Sequence, residues 1–177
     1  MKLLEIFKTS DNIQLDKKTL VILRWIAIIG QFIAINFVYF FLNFDFLFLY
    51  CIIVIFLGVI TNIFLQFREK KKLLSDLSSA IYLTYDLTQL ALLIFLTGGI
   101  TNPFVLLLVI PAVVSSTFLS VKSTVNLSII TAAFLLILTV YHFPLPSSGE
   151  LHFHVPNYYL NGIPTAIIIG LIFLCYF

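Results

Sequence analysis

Polar residues divide this chain into six apolar runs, at 19–42, 46–67, 77–97, 103–121, 124–143 and 158–177. Each is close to the roughly 20 residues an α-helix needs to cross a bilayer at about 1.5 Å per residue. None alternates over about ten residues as a barrel strand would. Helices are expected, because backbone in hydrocarbon must satisfy its own N–H and C=O groups. The pattern predicts an all-α polytopic membrane protein. It has a short polar segment at 1–18, then a bundle of six transmembrane helices at 19–177.

Composition supports this pattern. Only 10% of the residues are charged and the mean hydropathy is +1.12, whereas about a quarter are charged in a soluble domain. The first apolar run is too long for a signal-peptide core, and no small-residue cleavage site follows it. It is expected to stay as an anchor. The placement of charge orients the bundle. Lys2, Lys8, Lys17, Lys18 and Arg24 precede or open the first run. Arg68, Lys70, Lys71 and Lys72 follow the second, and Lys122 follows the fourth. All ten cations therefore fall on one side of a six-span layout. The connections at 43–45, 98–102 and 142–157 carry none. The positive-inside rule puts both termini in the cytoplasm, and a bacterial inner membrane is the expected location. No basic patch interleaved with aromatics suggests nucleic acid. Cys51 and Cys175 lie inside apolar runs and read as small apolar side chains, with a regulatory thiol as the lesser alternative.

The stretch LTGGITNPFVLLL, residues 96–108, concentrates polar punctuation in an otherwise apolar region. Gly98 and Gly99 suit the left-handed residues that end a helix. Pro103 suits the first turn of the next helix, where a missing N–H costs nothing. Asn102 then falls at its N-cap. The capping rules thus account for a tight helical hairpin on the outer face. The same parts also suit a ligand. The glycines allow close approach, a helix N-terminus supplies donors, and Phe104 supplies a ring. A flat apolar molecule with carbonyl oxygens, such as a quinone, needs that pairing. Both readings stand on the residues alone.

GGITNPF resembles the GGxxNPF heptapeptide of the RegB/PrrB/ActS redox-responsive sensor histidine kinases. LRWIAIIGQ, from Leu23 to Gln31, resembles the family's first span. YDLTQLALLIFLTGG, from Tyr85 to Gly99, resembles its approach to the heptapeptide. The resemblance runs from about residue 20 to 177. It implies a six-span sensing domain that binds ubiquinone or a related quinone at Gly98, Gly99, Asn102, Pro103 and Phe104. It further implies contact with the quinone pool, a homodimer, and control of a cytoplasmic kinase that phosphorylates a response regulator. The family's phospho-accepting histidine, ATP-binding domain and cytoplasmic redox cysteine have no counterpart here. Neither Cys51 nor Cys175 inherits that cysteine's role. The last run is still apolar at Phe177, so a cytoplasmic part is expected to follow.

A second tier of residues lies deeper. Asp86 is the one carboxylate within a span, about 15 Å along its helix from Asp76. Gln89 shares its face, and Gln31 in the first span reaches a similar depth. Mutual hydrogen bonding among the three is the expected packing role, and a proton or signal relay beneath the quinone site is the sharper one. Arg24 and Trp25 are expected as a snorkelling cation and an interfacial aromatic. Pro111, with Ser115, Ser116 and Thr117 after it, is expected to kink or loosen the fourth helix. His142, His152 and His154 share an outer loop with Glu150. Without a full ligand set they read as solvated histidines rather than a metal site. The competing functions are a small transporter or channel, a stand-alone quinone-binding protein, and a scaffold. A transporter would need more polar groups along a path than one Asp and scattered amides.

Overall fold

The computed structural model describes residues 15–68, 73–144 and 157–176, and its regular elements there are helices, with one isolated bridge between Asp16 and Leu73. The helices are α1 (Lys17–Phe40), α2 (Phe48–Arg68), α3 (Asp76–Leu96), α4 (Ile110–Phe118), α5 (Val121–Val140) and α6 (Asn157–Tyr176). Two 3-10 segments, Gly99–Thr101 and Pro103–Val109, lie between α3 and α4. Among the described residues, five helices are long and apolar enough to cross a membrane; the shorter apolar stretch Pro103–Phe118 makes the fourth segment. Most of the segment at 1–18, residues 69–72 with Lys70, Lys71 and Lys72, and His152, His154 and Glu150 lie outside the described residues.

Sequence chemistry sets the helix starts. Asp16 caps α1 by accepting from the Lys18 N–H. Ser75 caps α3 through the Ser78 N–H, and Ser120 caps α5 through the Ser123 N–H. Each cap satisfies a donor that the helix itself cannot.

Pro111 shapes the fourth segment. A proline has no N–H to offer the carbonyl four residues back, and its ring crowds that carbonyl. The carbonyl here belongs to Leu107, which instead accepts from the Ile110 N–H three residues on. The chain therefore runs as a 3-10 helix up to Val109 and becomes α from Ile110. The expected loosening takes this form. Beyond it, Ser116 and Thr117 bond back to the Val113 carbonyl, while buried Ser115 donates to Thr124 of α5.

α1 packs along α2, and α2 along α3. α3 also meets α4 and α5, and α5 meets α4 and α6. α3 therefore joins the α1–α2 hairpin to the other helices. α3 and α5 are tied at both ends. At one end, Asp76 accepts from the Ser120 N–H at 2.6 Å, the Ser120 hydroxyl at 2.9 Å and the Ser123 hydroxyl at 2.6 Å. At the other, the Phe143 N–H donates to the Phe95 carbonyl at 3.0 Å, with the two rings edge to face. The two helices thus run parallel, and Pro103–Phe118 brings the chain back along the full length of α3. One apolar core runs through Leu20, Leu87, Val105, Leu108, Leu127 and Leu135; a second, between α1, α2 and α3, includes Ile28, Cys51, Ile55 and Leu93.

Candidate functional site

The heptapeptide, residues 98–104, closes the turn after α3. Gly98 (φ 109°) and Gly99 (φ 56°) both take the left-handed conformation, which a side chain would strain. The Gly98 carbonyl then accepts from the Thr101 N–H at 3.1 Å and the Thr101 hydroxyl at 2.6 Å. Asn102 works at both ends of its amide. Its Nδ2 donates to the Thr97 carbonyl at 3.1 Å and to the Thr97 hydroxyl at 2.7 Å. Its Oδ1 accepts from the Phe104 N–H at 2.9 Å, which is the expected N-cap. Pro103 stands in the first turn as expected. Thr97, which the sequence did not single out, passes the bond on by donating to the Leu93 carbonyl at 2.7 Å. Asn102 thereby stitches the start of the fourth segment to the last turn of α3.

Burial divides the heptapeptide. Gly98, Gly99 and Ile100 are buried, whereas Pro103 and Phe104 are exposed. The backbone is spent on the turn, and the proline and phenylalanine rings are its available surface. A Cβ on Gly99 would run into the His142 ring. His142 is thus not simply a solvated loop residue. Its half-buried ring sits on the heptapeptide, with Nδ1 3.0 Å from the Leu138 carbonyl.

The second-tier residues form a polar seam between α1, α2 and α3. Arg24 does not snorkel. It is only 3% exposed, and its Nε meets the Asp86 carboxylate at 2.8 Å. Its Nη2 donates to the Thr61 hydroxyl at 2.9 Å, and Thr61 donates to the Gly58 carbonyl. The guanidinium lies 5.5 Å from the ring centres of both Tyr82 and Tyr85, a contact that favours a cation over an aromatic face. The reason for burial is energetic: a guanidinium out of water needs a counter-ion, and α3 supplies one in Asp86. Deeper along the seam, Gln89 donates to Gln31 at 3.1 Å. Gly58 makes room for it, since any side chain there would meet the Gln89 amide. Asn62 of α2, fully buried, donates to the Val21 carbonyl of α1 at 3.2 Å. The expected Gln89–Gln31 pair is present, but Asp86 belongs to Arg24 rather than to the amides. Trp25 packs against the main core, partly buried.

Cys51 is fully buried and unbridged, and Cys175 is partly buried and unbridged. Among the described residues no three His, Cys, Asp or Glu side chains gather as a metal site would require.

No family model matches the chain, and no solved structure matches it. A curated relative does: the sensor histidine kinase RegB of Cereibacter sphaeroides, 35% identical over 158 residues. The match covers 89% of this chain and 34% of the relative, so the chain spans about a third of the length of that protein. Similarity along nearly its whole length, in a bundle of membrane-capable helices, supports a membrane domain of the RegB type of sensor kinase.

Proposed function

We propose that this domain is the redox-sensing input of a two-component sensor kinase in a bacterial inner membrane. In this reading a quinone from the membrane pool docks against Pro103 and Phe104 at the outer end of α3. The bound ligand favours one arrangement of the helices, and α6 carries that preference to a cytoplasmic kinase. A ligand shifts such an equilibrium only as far as it prefers one state. The kinase would act as a homodimer and phosphorylate a response regulator. The observation that carries the reading is the heptapeptide itself. Two rings, Pro103 and Phe104, are left exposed beside the turn and supply the apolar half of the pairing a quinone needs, while the Asn102 amide and the Phe104 N–H are engaged within the turn.

The chain would cross the membrane six times, with both termini in the cytoplasm. The fourth segment supports this despite its length. Seven 3-10 residues at about 2.0 Å each and nine α-helical residues at about 1.5 Å each extend roughly 27 Å. That nearly matches a hydrocarbon core of about 30 Å. The polar seam supports an input role over a transport path, because Arg24, Asp86, Gln31 and Gln89 are engaged with one another. They link the α1–α2 hairpin to the helix that bears the heptapeptide, which suits a relay.

Binding of a short-chain ubiquinone to the purified domain in nanodiscs tests the proposal. Phe104→Ala is expected to weaken it at least about tenfold, by removing an aromatic contact and its buried area. Ile129→Ala, exposed on α5, is expected to leave it unchanged. Equal affinity in the wild type and Phe104→Ala would remove the heptapeptide from the site. Substrate flux through vesicles would instead favour a transporter.

A further inference from the structure

We propose that the second half of α2 and the start of α1 form a binding site for one anionic phospholipid. Ile60, Ile63, Phe64 and Phe67 line a shallow groove of about 420 Å³ on α2. Their spacing of three and four residues puts them on one helix face. All four are exposed, whereas Asn62 and Leu65 on the other side of the helix are buried. No side chain of the lining carries a hydrogen-bond donor or acceptor, so a polar ligand finds nothing there to fix it. A hydrocarbon chain finds two branched side chains and two rings to lie against.

A fixed positive charge at the end of the groove sets it apart from ordinary lipid-facing surface. α2 stops at Arg68, and Nζ of Lys17 donates to the Gln66 carbonyl at 3.0 Å. That carbonyl is one of the last four of α2, which the helix cannot satisfy itself. Gln66 directly precedes Phe67, so an ammonium stands beside the last side chain of the groove. Accepting from an ammonium leaves its charge in place, and the group has three N–H donors. Lys17 is also held from behind. The Leu74 N–H donates to the Leu15 carbonyl at 3.2 Å, and Asp16 bridges Leu73, which pins the start of α1 to the α2–α3 connection. Lys18 follows, exposed. Asp16 is the neighbouring carboxylate, and its Oδ1 accepts from the Lys18 N–H. By the charge layout this end of α2 faces the cytoplasm, where basic residues beside a membrane helix attract anionic headgroups. An apolar groove that ends at two cations matches a phospholipid, with an acyl chain along α2 and the phosphate at Lys17 and Lys18. A second copy of the chain fits less well. A two-fold contact sets the same patch against itself, which would bring like charges together at the lysine end.

The test is native mass spectrometry of the purified chain titrated with dioleoyl phosphatidylglycerol or dioleoyl phosphatidylcholine. The two lipids share their acyl chains and differ in net charge. The wild type should hold one phosphatidylglycerol at least about tenfold more tightly than phosphatidylcholine, since each lysine near the surface is worth about fivefold. Lys17→Gln with Lys18→Gln should abolish that preference and leave phosphatidylcholine binding within about twofold of wild type. The new amide at 17 keeps a donor for the Gln66 carbonyl, so the end of α2 stays capped. Ile60→Ala with Phe64→Ala should weaken both lipids alike, by about fivefold or more, through lost apolar contact. Ile129→Ala, exposed on α5, should change neither. Far-UV circular dichroism checks that each variant keeps its helix content. Equal binding of the two lipids by the wild type would overturn the inference, as would a preference that survives the paired lysine change. Unchanged binding in Ile60→Ala with Phe64→Ala would place the acyl chain elsewhere and overturn it too. A dimer mass that disappears in that variant, with lipid binding intact, would make the groove a contact between copies instead.

Discussion

Arg24 and Asp86 show how one pair of side chains can outweigh a local rule. A cation seven residues into α1 has a short path to the membrane surface, and its stem is long enough to snorkel. It turns inwards because Asp86, Thr61 and two tyrosine rings together replace much of its hydration, with only the buried Nη1 left without a hydrogen-bond partner. Asp86→Leu should therefore be costly, since it leaves a buried guanidinium without its counter-ion. Loss of one partner from a buried pair typically costs about 3–5 kcal/mol. Arg24→Leu should cost less, because a carboxyl left without its partner can take up a proton and become neutral, whereas a guanidinium stays charged. The double variant should recover much of the loss from Asp86→Leu. Reversible unfolding in mixed micelles would measure this cycle. Additive penalties would mean that the two residues act independently. The pairing was not legible in the sequence. Periodicity and hydropathy gave the depth of each residue, but they could not say that residues 62 positions apart face each other.

At the scale of the helix, the heptapeptide and Pro111 tell opposite stories about legibility. The roles of Gly98, Asn102 and Pro103 were readable because capping depends on neighbours within a few residues. The 3-10 form of Pro103–Val109 was not, since an apolar run has the same hydropathy in either helix. Only the expected weakening at Pro111 pointed to it. The cause assigned above, the missing N–H opposite Leu107, has a measurable consequence. Pro111→Ala should let α-helix propagate towards Asn102. Each converted residue shortens the segment by about 0.5 Å, so the seven-residue stretch would contract by roughly 3–4 Å. Hydrogen exchange should detect the change. Amides at 104–109 should exchange faster than those of α3 in the wild type, because 3-10 bonds are poorly aligned. In Pro111→Ala they should become more protected. Unchanged exchange would mean that packing against α3 and α5, rather than the proline, dictates the 3-10 form. His142 was misread at this same scale, because its seat on Gly99 depends on where α5 ends in space.

At the scale of the molecule, the open question is how many times the chain crosses the membrane, and α3 and α5 make it sharp. The two helices run parallel and are tied at both ends, by Asp76 with Ser120 and Ser123, and by Phe95 with Phe143. If α3 crosses, the segment that returns from its far end to Ser120 must cross too. The charge pattern predicts the same arrangement independently, since it puts Lys122 with the basic residues at 68–72. Single cysteines in a Cys51→Ala, Cys175→Ala background would test this in right-side-out vesicles with an impermeant maleimide. Asn43→Cys and Tyr141→Cys should label from outside. Leu73→Cys and Lys122→Cys should label only after the membrane is opened. Lys122 is the deciding position. Labelling there from outside would mean that Pro103–Phe118 does not cross. The parallel pairing of α3 and α5 could not then persist in the bilayer, and α6 would have to deliver its signal to the opposite face.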